Sequence, residues 1–227
     1  MGSAQQSLFG HEPVVTFERD LSRVAREHLD ETAWIDHVPG WVKGHETLFA
    51  ALAAGTAWHE QQRQMYERVV DVPRLVASLP KDGPGHEALP RLRDALEDRY
   101  GVAFPFITMA LYAHGDHSVA WHGDYVAREL QDAVVATVSL GEPRRFLLRP
   151  KGGGKSRSMM LGWGDLLVMG GTCQRTWEHA IPKVAHAAGP RIAVMFRPKW
   201  YEAAQRWHNK ADDPSALGTG MATMGHK

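Results

Sequence analysis

His122 and Asp124 stand two residues apart in SVAWHGDYV, residues 118–126, an apolar run that otherwise reads as a strand. Side chains alternate faces along an extended chain, so this imidazole and this carboxylate project to the same side. A second imidazole, His179, lies in RTWEHAIP on a separate predicted strand. Taken alone, an H-x-D pair in a chain with 13 histidines reads more readily as surface polarity than as a metal site.

Two imidazoles and one carboxylate on one face of a metal leave other coordination positions open. That is the ligand arrangement of non-haem Fe(II) oxygenases. The segment RIAVMFRP adds Arg191 and Arg197, six apart and therefore on one face of a strand. Guanidinium forks bind carboxylates bidentately and stay charged at any relevant pH, so a dicarboxylic co-substrate would suit that face. The alternative is an edge strand with both arginines in solvent.

The elements that must position these groups follow a period-two pattern. From Phe104 onward eight short apolar runs are separated by Gly and Pro: FPFITMALYAHG, SVAWHGDYV, AVVATVSLG, RRFLLRP, RSMMLGWG, DLLVMGG, RTWEHAIP and RIAVMFRP. Such a run of strands reads as an all-β sandwich or jelly roll. Upstream, HETLFAALAAG (45–55) and HEALPRLRDALEDRYG (86–101) have helical spacing, and WHEQQRQMYERVVDVPRL (58–75) alternates loosely. The first forty residues suggest a long arm anchored by Phe9, Phe17 and Trp34, with a helix near 20–30 and an anchoring turn at DHVPGW. After Pro198, WYEAAQRWHNK predicts an amphipathic helix ahead of a mobile tail. This gives one structural domain: an arm and helix over 1–57, a lid region and supporting helix over 58–100, a catalytic core over 101–198, and a C-terminal helix and tail over 199–227.

With 227 residues, 44% of them hydrophobic, the chain can bury one substantial core. Lys plus Arg and Asp plus Glu are 26 each, so a polyanionic partner must be sought in local clusters rather than in net charge. Cys173 is the only cysteine, which excludes an internal disulfide and multi-cysteine zinc sites and suits a reducing compartment. The opening MGSAQQSLFG lacks the pattern of an export signal, and no apolar stretch is long enough to span a bilayer. A soluble, cytoplasmic protein with no membrane partner is expected.

The order Tyr112, His122-Gly-Asp124, His179, Arg191 and Arg197 resembles the AlkB family of Fe(II)- and 2-oxoglutarate-dependent dioxygenases over about residues 58–198. The resemblance implies a mainly β fold with flanking helices: a double-stranded β-helix, or jelly roll, with an N-terminal α/β extension. It implies that His122, Asp124 and His179 form the catalytic iron site. Arg191 would bind the distal carboxylate of 2-oxoglutarate with the Tyr112 hydroxyl, and Arg197 would sit near the carboxylate chelated by iron. With O2, the implied reaction yields succinate and carbon dioxide, hydroxylates an N-alkyl carbon of a DNA or RNA base, and releases formaldehyde. The sequence departs from the family at Ala110 and Ala193, where polar side chains are usual, at Met195, and at Val126, where many members carry an acid.

Two segments suggest nucleic acid, with single-stranded DNA or RNA as the expected partner of a monomer. PRRFLLRPKGGGKSR, residues 143–157, holds Arg144, Arg145, Arg149, Lys151, Lys155 and Arg157 with no acid, and could follow a phosphate backbone. An ordinary solvated hairpin fits it as well. A P-loop does not, because the first glycine of that motif would fall on Arg149. In the lid region, Trp58, Arg63, Met65, Tyr66 and Arg74 could stack on or flank a flipped base, with core packing as the alternative. Val126 would face the substrate. Trp121 and Trp177, each beside a ligand histidine, are expected to pack and fix ligand orientation. His114 and His117 read as surface histidines. Two further readings remain open: the same chemistry on a small molecule or a protein, and a catalytically idle β-helix binding module, motivated by Ala110, Ala193 and Met195.

Overall fold

Strands are the commonest element among the described residues, and the two long helices cover only one side of them. The structure is a computed structural model that describes residues 14–65, 68–79, 85–124, 132–185 and 189–198, with backbone alone at 61–65 and 68–73. The N-terminal part contributes β1 (Thr16–Phe17), β2 (Arg26–His28), β3 (Ala33–Val38), β4 (Val42–Lys43) and α1 (His45–Gly55). The hairpin β5 (His59–Met65) and β6 (Arg68–Leu79) and the helix α2 (Ala88–Tyr100) follow. Then come β7 (Phe106–Tyr112), β8 (Val119–His122), β9 (Val135–Gly141), β10 (Arg144–Pro150), β11 (Arg157–Leu161) and β12 (Asp165–Gly171). A short α3 (Cys173–Thr176) leads into β13 (Trp177–Ile181) and β14 (Arg191–Arg197). All eight apolar runs after Phe104 are strands.

An eight-stranded sheet, in the order β2-β3-β12-β9-β14-β7-β6-β5, faces a four-stranded sheet ordered β11-β10-β13-β8. These are the two sheets of a double-stranded β-helix. Between them lies a core fed by both, including Ala110, Tyr112, Met169 and Ala193 from the larger sheet and Phe146, Leu148, Leu161 and Trp177 from the smaller. The outer face of the larger sheet packs on the helices through Val138, Val168, Val194 and Phe196 against Leu48, Leu52, Leu89, Leu92 and Leu96. The spacing of those leucines puts one stripe of each helix on the sheet. At the end of α2, Gly101 takes φ 65° and donates its N–H to Glu97 O, a left-handed stop that suits glycine.

The N-terminal arm is a correction. Instead of packing by isolated anchors, β3 pairs with β12 along its whole length, from Val38↔Leu166 to Ala33↔Gly171. Residues 26–28, expected to be helical, form an exposed strand on the far edge of β3. Alternation fails as a signal in β3 because both of its faces are covered. Ala33 and Ile35 enter the inter-sheet core. On the opposite face Trp34 stacks on Tyr100 with ring centroids 6.0 Å apart. The fully buried Asp36 receives Arg26 at 3.0 Å and the Tyr100 hydroxyl at 3.0 Å. The expected C-terminal helix and Phe9 lie outside the described residues.

Candidate metal centre and co-substrate cavity

The smaller sheet brings the two histidines together by register. His122 ends β8 and pairs directly with His179 of β13, placing their rings 4.3 Å apart at 50°. Asp124 lies two residues beyond the end of the strand, and the donor atoms of all three lie within 4.8 Å of one another. His122 Nδ1 lies 2.8 Å from Ala120 O. A carbonyl can only accept, so Nδ1 carries the proton and the Nε2 lone pair is left for a metal. His179 is held flat against Phe146, 5.4 Å between centroids at 16°.

The turn between the ligands is set by backbone contact. A Cβ on Gly123 would lie 2.4 Å from Gln174 O and 3.2 Å from Trp177 O, so only glycine fits. The Asp124 N–H is accepted by Gln174 Oε1 at 3.0 Å, from a side chain that is itself buried. Trp177 is buried and donates its indole N–H to Asp30 at 2.7 Å. Trp121 carries the Arg149 guanidinium over its ring at 4.0 Å. Both tryptophans therefore pack from within the strands that carry the ligand histidines.

Electrostatics favour a bound cation. Burial pushes His179 down to about 3, with the neighbouring His122 acting in the same direction. Burial also lowers His122, against the pull of Asp124. Burial alone would raise the Asp124 carboxyl, but Arg197, His179 and His122 outweigh it and hold it below the ordinary carboxylate range. Two neutral imidazoles and one carboxylate are the protonation states that ligate a divalent metal. The donor set and its clustering fit Fe(II).

Next to the triad, the inward face of β14 presents Arg191, Ala193, Met195 and Arg197, opposite Tyr112, Ala110, Thr108 and Phe106 of β7 in register. Arg197 Nη2 reaches Asp124 Oδ1 at 3.2 Å and Oδ2 at 3.4 Å, and Nη1 donates to Thr108 Oγ1. Arg191, at the other end of the strand, donates to Ser139 Oγ at 2.7 Å and Leu161 O at 3.3 Å, and its guanidinium carbon lies 5.3 Å from the Tyr112 ring centroid. Arg74 enters from β6, and its charge acts on both His122 and His179. The interior thus holds a metal triad flanked by cations, the electrostatics of a site for an anionic chelator.

Other sequence-predicted residues fare differently. Trp58 is half-buried, packs against the helix-side core and donates its indole N–H to Ala53 O at 3.2 Å, as the packing alternative expects. Arg63 and Met65 lie on β5, while Tyr66 and Val126 fall outside the described residues. The basic run is also corrected. Arg144 is 1% exposed and donates to the carbonyls of His114, Gly115, His117 and Pro182. Arg149 pairs with Glu178 at 3.2 Å, and Arg157 with Glu27. Arg145, Lys151 and Lys155 are the exposed cations of the run. Sequence reasoning passes over Thr108, Ser139 and Gln174. The first is within its reach, because period two places it on the face of Ala110 and Tyr112.

Residues 55–197 match the model of the 2OG-Fe(II) oxygenase superfamily. The chain is 28% identical over 151 residues to the human alpha-ketoglutarate-dependent dioxygenase alkB homolog 3, covering 63% of this chain and 50% of that protein. It is 33% identical over 135 residues to the DNA oxidative demethylase ALKBH2 of Arabidopsis thaliana, covering 48% and 43%. The chain therefore spans about half the length of the curated relatives it matches. Among solved structures, that of OsALKBH1 superposes with a TM-score of 0.55 at 14% identity, covering 75% of this chain and all of that one. A prolyl hydroxylase of Trichoplax adhaerens, in complex with a hypoxia inducible factor peptide, gives 0.54 at 14% identity, covering 75% and 86%. These structural likenesses concern the fold alone.

Proposed function

We propose that this chain, which belongs to the 2OG-Fe(II) oxygenase superfamily, is a dioxygenase that oxidatively dealkylates N-alkylated bases of DNA or RNA. The observation that carries the reading is the convergence of the His122, Asp124 and His179 donor atoms within 4.8 Å at the smaller sheet, with Arg197 of the larger sheet reaching Asp124 and Arg191 on the same strand as Arg197. Its relatives named for DNA oxidative demethylation support the substrate class.

In this reading His122, Asp124 and His179 hold Fe(II), and Arg191 with Tyr112 binds the distal carboxylate of 2-oxoglutarate. Bound there, Fe(II) supplies the O2 chemistry that couples decarboxylation of 2-oxoglutarate to hydroxylation of an alkyl C–H. The chain's own residues position and shield. Arg197 pins the Asp124 carboxylate, Ala120 O fixes the His122 tautomer, and Phe146 holds the His179 ring. The buried Ala110, Ala193 and Met169 give the cavity apolar walls that exclude water. Arg74 adds positive charge beside the histidines, suited to a phosphate or an electron-rich base edge. The hydroxylated N-alkyl carbon then breaks from nitrogen as formaldehyde, leaving the unmodified base. No helix among the described residues is long and apolar enough to cross a membrane. The single, buried Cys173 suits a cytoplasmic setting.

A second reading keeps the chemistry and changes the substrate to a small molecule or a protein. It is favoured by the basic run, where Arg144, Arg149 and Arg157 are committed to internal partners. The test loads the protein anaerobically with Fe(II) and 2-oxoglutarate, then adds air and a methylated single-stranded oligonucleotide. Formaldehyde and succinate in equal amounts support dealkylation. Succinate from 2-oxoglutarate with no formaldehyde points to the second reading, and neither product refutes both.

A further inference from the structure

The space between the sheets around Tyr112 holds more positive charge than its internal partners neutralise. Arg191 and Arg144 are each 1% exposed, and they approach the same ring from opposite sheets, their guanidinium carbons 5.3 and 5.8 Å from the Tyr112 centroid. The partners of both are neutral. Arg144 donates to four backbone carbonyls, and Arg191 to Ser139 Oγ and Leu161 O. Neither forms an ion pair among the described residues, and Arg144 Nε and Arg191 Nη1 are shielded from solvent with no acceptor there. Asp165 acts on Arg191 at longer range, but its carboxylate is already held by the Gly40 and Gly162 amides. Two buried guanidiniums facing only dipoles are costly unless an anion completes the site.

We propose that Arg144 is a second cation of the distal co-substrate pocket and that it sets selectivity for a 2-oxo acid bearing a distal carboxylate. The proposal rests on the reading of this cavity as a 2-oxoglutarate site. Ala110 and Ala193 are cross-strand partners on the pocket wall and offer no polar atom, so a distal carboxylate meets Tyr112, Ser139 and the two guanidiniums. The carbonyls of His117, shortly before His122, and Pro182, shortly after His179, immobilise Arg144. Its charge is therefore fixed in place before the ligand arrives, which is the condition for electrostatic preorganisation.

The test compares two ligands of equal chain length, 2-oxoglutarate and 2-oxopentanoate, the latter lacking the distal carboxylate. Binding is measured calorimetrically on the Mn(II)-loaded full chain, with no turnover involved. The wild-type protein should favour 2-oxoglutarate, and Arg144→Gln should weaken 2-oxoglutarate at least tenfold while leaving 2-oxopentanoate within twofold. Arg144→Lys should keep most of the preference. An equal loss for both ligands, or no loss, would show that Arg144 only ties loops together and would overturn the proposal. Failure of the wild-type chain to bind 2-oxoglutarate would instead overturn the reading of the cavity itself. A measurement without substitution guards against an unfolded variant. Replacing the distal carboxylate by a phosphonate should give binding that strengthens as the phosphonate takes its second charge, measured relative to 2-oxoglutarate at each pH. Weakening over that range would contradict a pocket with two cations.

Discussion

Replacing Gly123 with alanine drives a methyl group into the backbone that joins the metal ligands. The added Cβ would stand 2.4 Å from Gln174 O, about 1 Å short of ordinary contact, and 3.2 Å from Trp177 O. Both obstacles are main-chain atoms, one in α3 and one opening β13, so neither can swing aside as a side chain would. The displacement must fall either on the His122–Asp124 turn or on the segment that leads to His179. Either way the three donors separate by a fraction of the 4.8 Å that now contains them. Misplacement by about 1 Å near reacting groups costs on the order of 100-fold in rate, and loosened support of metal ligands costs roughly 10- to 100-fold in affinity. Gly123→Ala is therefore expected to bind Fe(II) at least tenfold more weakly and to turn over about 100-fold more slowly. Its fold should survive, because the core between the larger sheet and the helices is untouched and the clash is confined to one end of the inter-sheet core. Anaerobic equilibrium dialysis with Fe(II), alongside thermal unfolding of the metal-free protein, separates the two effects. Metal affinity and turnover within twofold of wild type would refute the reasoning.

Gly55, the last residue of α1, has open space around it and no left-handed backbone, so Gly55→Ala should stabilise by about 0.4–1 kcal/mol and raise Tm by a few degrees. A fall in Tm would show that the helix end is misread. Asp36→Ala strips the buried carboxylate from Arg26 and Tyr100 and should cost roughly 3–5 kcal/mol in urea unfolding, whereas Tyr100→Phe, which removes one hydrogen bond to a charged group, should cost about 1.5–3 kcal/mol. Equal effects of the two would argue against a charge-centred cluster. Reversing Arg145, Lys151 and Lys155 together should flatten the salt dependence of single-stranded oligonucleotide binding by about 2 in log–log slope, since each lost phosphate contact contributes about 0.7. An unchanged slope would favour the small-molecule or protein substrate.

Much of the fold is legible in the sequence because short apolar runs set off by Gly and Pro mark the strands after Phe104, nearly continuous where both faces are buried, as in β9, β12 and β14, and alternating in β10 and β11. His122, Asp124 and the Arg191–Arg197 face can be placed on common faces by counting alone. The pairing of His122 with His179 cannot, because strand register depends on partners far apart in sequence. β3 escapes the count because it is covered on both faces, so Trp34 and Asp36 mask the alternation of Ala33 and Ile35. Composition misleads for the basic run, where position is informative. Arg144 shares its face with the buried Phe146 and Leu148, and that spacing by itself points the guanidinium inward. Gln174 leaves no signal, since a lone glutamine in a four-residue helix acquires its role only from the Asp124 N–H that reaches it.

The central claim is that His122, Asp124 and His179 together hold one Fe(II). Anaerobic dialysis of the full chain against Fe(II) tests it most directly, with Asp124→Ala and His179→Ala beside the wild type. The account predicts one equivalent of iron per wild-type chain, and none retained by either variant under the same conditions. Stoichiometric binding that persists in both variants would place the metal elsewhere and contradict it.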